Sequence, residues 1–65
     1  MNTKEEILQH LKEMLNMENE AFRMYTELAS QVNSAALKNF FLSIAEEEEG
    51  HAKIVSELIK ICGEG

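Results

Sequence analysis

Sixty-five residues carrying a net charge of -6 and a pI near 4.7 make one small acidic folding unit, too short to enclose a sizeable core alone. Six scattered Lys and Arg form no basic patch, which argues against a nucleic-acid partner. A single cysteine excludes an internal disulfide and any paired Cys-x-x-Cys metal motif.

Hydrophobic content of 45% beside 28% charged residues describes a domain that folds. All twelve acidic residues are Glu and proline is absent. Glu forms helix well whereas Asp competes for backbone groups, so continuous helix is predicted. No apolar run approaches the ~18 residues of a membrane span, and the opening Met1 to Glu6 lacks the basic and apolar regions of a secretory signal. A cytoplasmic protein with no membrane partner is expected.

Thr3 followed by Glu6 fits the capping box that opens a helix. Helix 1 is predicted over about residues 3–32, with Leu8, Leu11, Leu15, Glu18, Phe22, Tyr25, Ala29 and Val32 on one alternating four-three seam. Asn33 and Ser34 supply the turn and the next cap. Helix 2 is predicted over about residues 35–62, with Leu37, Phe41, Ile44, Glu48, His51, Val55, Leu58 and Cys62 on its seam, and Gly63 is expected to stop it in a left-handed conformation. Helices of about 28 residues are roughly 42 Å long, and a short connection makes them antiparallel neighbours. The predicted fold is all-α: an antiparallel hairpin, one domain over residues 1–65, that homodimerises into a four-helix bundle.

The other charges and apolar residues sort by the same period. Glu13, Glu20 and Glu27 recur every seven residues opposite the seam and read as a solvated stripe. In the run Glu46 to Glu49 successive residues point about 100° apart, so only Glu48 points squarely inward. Glu47 lies at the edge of the apolar face beside Phe40 and Ile54, where it could orient a histidine. His10 is off the seam, and Cys62 reads as a small buried hydrophobe. Gly50 costs about 1 kcal/mol in a helix interior and reads as a tolerated surface residue, or as a point of close approach by a neighbouring helix or of local adjustment of His51. Met17, Met24 and Leu42 lie off the seams and suggest assembly beyond a dimer.

The seams are apolar except at Glu18, Glu48 and His51. An ionised carboxylate buried without a partner costs several kcal/mol, so two of them on core stripes need a physical reason. With the turn centred near residue 33.5, Glu18 lies about 15 residues before it while Glu48 and His51 lie about 14 and 17 after it, which puts all three within about 5 Å along the axis. The layer falls near the middle of both helices, so a second hairpin with its turn at the opposite end brings its own trio to the same place. Four carboxylates then balance two divalent cations, and two neutral imidazoles complete the set. Mixed oxygen and nitrogen ligation suits iron or manganese, with zinc or cobalt also able to bind. The competing explanation is a metal-free polar layer that sets helix register.

Met17-Glu18, Tyr25, Ala29-Ser30, Phe41 and the run Glu48-Glu49-Gly50-His51-Ala52-Lys53 resemble one half of a rubrerythrin-type ferritin-like di-iron domain. In that superfamily two helix pairs each supply a Glu from the first helix and a Glu-x-x-His from the second. The resemblance implies a homodimer that rebuilds the bundle, similar to encapsulated ferritins, with two Fe ions per homodimer. It implies Glu18 as a terminal ligand, Glu48 as a bridging carboxylate, His51 as a nitrogen ligand and Tyr25 as an outer tyrosine. Rubrerythrins carry a further glutamate one turn after the first-helix ligand, where this chain has Ala21, and the rubredoxin module is absent. A symmetric site that oxidises ferrous ion with oxygen is therefore expected over a peroxidase acting on peroxide. The tail Cys62 to Gly65 does not resemble a capsid-targeting extension, so encapsulation is not expected. Two other functions stay open: a metal-free helical interaction module, and metal storage or delivery without redox turnover.

Overall fold

The computed structural model describes residues 3–64 of the chain. The outermost residues of the expected domain, Met1, Asn2 and Gly65, lie outside the described residues. Helix α1 spans Lys4–Gln31 and α2 spans Ala35–Glu64. They lie side by side and antiparallel in a rod of 48 × 15 × 14 Å. No described helix is long and apolar enough to cross a membrane.

Each helix start is built by the residue that the sequence nominates. Thr3 Oγ1 accepts the Glu6 amide at 3.1 Å and donates to the Glu6 carboxylate at 3.2 Å. Glu5 and Glu6 place negative charge on the first turn, where the helix dipole favours it. Helix α1 ends as Val32 turns extended, at φ -92° and ψ 149°. Ser34 then opens α2: its Oγ accepts the Leu37 amide at 3.2 Å and its carbonyl accepts the Lys38 amide at 2.9 Å. Ser34→Ala should cost about 1 kcal/mol and Ser34→Asn much less, because Asn also caps. Thermal melts of the two variants check this.

The packing face of α1 matches its predicted seam. Leu8, Leu11, Leu15, Glu18, Phe22, Tyr25 and Val32 are half-buried, and Ala29 is buried. On α2 the face toward α1 overlaps the predicted seam but is turned to one edge of it. Val55 of the seam is buried and Phe41, Ile44, Glu48 and Cys62 are half-buried, whereas Leu37, His51 and Leu58 are exposed; beside the seam Ala45 and Ala52 are buried and Ile59 is half-buried. Methyl side chains at Ala29, Ala45 and Ala52 allow close approach of the two backbones, so α2 rotates to bring its alanines inward. The predicted stop at Gly63 is also corrected: α2 continues to Glu64 and no described glycine has positive φ. A Cβ at Gly63 would meet nothing within 4 Å, so no neighbouring segment forces the chain to turn there. The same openness at Gly50 shows that no close approach within the hairpin requires a glycine there.

One side of the hairpin remains apolar and uncovered. Ile7, Met14 and Leu28 on α1 and Leu37 and Leu58 on α2 are 38 to 44% exposed. Ile7, Met14, Ala21 and Leu28 recur at every seventh position, as do Leu37, Ile44, His51 and Leu58. A seven-residue spacing keeps each set on one helix face suited to a further helix. Met17, Met24 and Leu42 are exposed as their off-seam positions require.

Candidate metal centre

Midway along the rod the uncovered face turns polar. Glu18 projects from α1, and Glu48 and His51 project from successive turns of α2, an i, i+3 spacing that stacks two side chains on one face. Each of the three offers a ligand atom, and these atoms all lie within 4.8 Å of one another. Nδ1 of His51 is 3.1 Å from Oε2 of Glu18 and 3.7 Å from Oε1 of Glu48. The expected common level is thus observed across the two helices.

Burial and charge give this cluster its chemistry. The side chains of Glu18 and Glu48 are 25% and 20% exposed, while that of His51 is 56% exposed. Glu18 Oε2 is itself buried and accepts no hydrogen bond, although His51 Nδ1 stands 3.1 Å away. No Lys or Arg among the described residues comes within ion-pair distance of either carboxylate. A buried carboxylate oxygen without a donor is costly, and a cation at the shared point would satisfy it. Two carboxylates and one imidazole suit a borderline divalent ion, and three donors leave a six-coordinate ion half satisfied. The residues therefore fit a metal while leaving room for further ligands.

The other sequence candidates lie outside this trio of ligand atoms. Tyr25 stacks on Phe41 with ring centroids 6.2 Å apart and planes tilted by 32°. Glu47 is exposed and stands outside the ligand cluster. His10, also exposed, approaches Glu13 at 3.9 Å on the surface. Met14 and Ile54 were not singled out as site residues by the sequence pattern, yet with Val55 and Leu58 they form the apolar groove into which Glu18 and His51 open. Their seven-residue relation to Ala21 and Ile61 was visible, but their position beside the ligands depends on how the two helices are rotated.

The family model for rubrerythrin matches residues 9–65, which takes in nearly all of α1, the turn, α2 and the whole trio. The chain belongs to the rubrerythrin family. No curated protein and no solved structure matches it. Rubrerythrin-family proteins generally bind iron, and the donor set of this member is of the kind that iron accepts. The described residues of this rubrerythrin-family chain form a single helix pair.

Proposed function

We propose that two copies of this hairpin dock through their uncovered apolar faces and together hold two iron ions, which the protein oxidises with oxygen. The reading rests on Glu18 Oε2, buried without a hydrogen bond and with only His51 Nδ1 facing it, inside a cluster of three ligand atoms with no Lys or Arg beside it. A second copy supplies the donors that one hairpin lacks, giving four carboxylates and two imidazoles around the shared layer.

The residues divide the work by chemistry. Glu18 and Glu48 hold the ions by charge, and a carboxylate can use one oxygen or both as an ion's needs change. His51 adds a neutral nitrogen through Nδ1, the atom that already faces both carboxylates. Ferrous ions bound there supply the electrons that oxygen takes up. Met14, Ile54, Val55 and Leu58 surround the ligands with apolar surface, which excludes bulk water from the layer once a second copy covers it. The acidic surface, at -6 per chain, attracts cations toward the layer.

Anaerobic titration with ferrous ion should saturate near about one iron per chain, the ratio expected for two ions between two Glu-and-His sets. Admission of air should then produce ferric absorbance. Stable loading without oxidation would leave storage or delivery, and no loading would leave a metal-free helical module.

A further inference from the structure

We propose that the metal also switches assembly on, so that the chelated protein is a separate hairpin and the metal-loaded protein is the pair. This inference rests on the functional reading above. It follows from where the ligands lie: the groove through which Glu18 and His51 reach water is part of the same apolar face that a second copy would cover. In the single hairpin, solvent reaches Glu18, Glu48 and His51 at 25%, 20% and 56% of their side-chain surface. Docking removes that water from both copies at once.

What docking would gather is four carboxylates in one layer with no Lys or Arg beside them. Like charges brought together out of water oppose the step, and two bodies of -6 each add a weaker repulsion at longer range. The force in favour is the burial of Ile7, Met14, Leu28, Leu37 and Leu58, each already partly covered within its own hairpin at 38 to 44% exposure. The apolar face supplies the drive and the acidic layer blocks it. Two divalent cations cancel the four charges and remove the block. Because the complete donor set exists only in the pair, metal affinity and pairing affinity are coupled by the same factor in both directions.

Sedimentation velocity at pH 7 and fixed salt tests this, on protein treated with chelator and on protein given anaerobic ferrous ion or manganous ion. The chelated chain should sediment as one helical hairpin, with circular dichroism showing that it stays folded. One equivalent of metal should double the mass and tighten pairing by about a hundredfold or more. The double variant E18Q/E48Q keeps the side-chain shapes and removes the charge, so it should pair without metal while losing metal uptake. Leu37→Glu, on the docking face and outside the groove that holds the ligands, should remain single even with metal. Metal uptake by a chelated protein that is already paired with equal affinity would overturn the switch and leave the site intact. Failure of the wild type to take up metal would instead overturn the site itself, and the switch with it.

Discussion

Glu18→Ala is expected to abolish ferrous uptake and oxidation while leaving the metal-free hairpin as stable as before, or slightly more so. Glu18 is the one member of the trio contributed by α1, so its loss leaves each ligand set drawn from α2 alone. In the proposed pair it removes two of four carboxylates, and two divalent ions are then no longer balanced. Loss of a group that merely orients a metal ligand typically costs 10- to 100-fold in affinity, and loss of a charged ligand should exceed about a hundredfold. The metal-free chain responds differently. Oε2 of Glu18 accepts no hydrogen bond, so truncation breaks no protein bond at that atom and removes a poorly solvated charge. Alanine is also the better helix former. Melting curves with and without metal should therefore converge for the variant and stay apart for the wild type. His51→Ala should lose uptake in the same way.

Ala29→Leu is expected to produce the largest loss of stability that leaves the ligands untouched. Ala29 is the most covered residue of the hairpin at 1% exposure, and it lies on the α1 face that meets α2. An isobutyl side chain in place of the methyl has no space there unless the helices separate. Overpacking of this kind costs about 1–3 kcal/mol. In a domain of this size each kcal/mol lowers the melting temperature by roughly 4–8 °C, so a fall of about 10 °C is expected. Met24→Leu, at a residue 57% exposed, should change the melt little in comparison. Thermal melts at one protein concentration and one metal concentration measure both, since any pairing makes the midpoint depend on each.

The helix starts and the polar layer were legible because local chemistry determines them. Thr3 and Ser34 cap as their side chains require, and once the turn is short, residue counting alone brings Glu18 to the level of Glu48 and His51. The packing face of α2 was less legible for a geometric reason. A four-three apolar seam locates the middle of a stripe broad enough to face two neighbours, but it does not say which edge of the stripe meets the first. The small residues decide that here: Ala45 and Ala52, seven apart beside the seam, let α1 approach, and Leu37, His51 and Leu58 are left on the opposite edge. That rotation also places Met14 and Ile54 beside the ligands. The stop expected at Gly63 failed because glycine permits a left-handed turn without imposing one, and nothing packs against that end to require it.

In the proposed pair one chain holds half of a shared metal site. Crystals grown anaerobically with ferrous ion, with anomalous scattering recorded at the iron edge, decide whether it does. Two iron peaks between a pair of hairpins, bounded by Glu18, Glu48 and His51 of each, are expected. Iron held by a single chain, or a Glu18 carboxylate turned to bulk solvent in the loaded crystal, would contradict it.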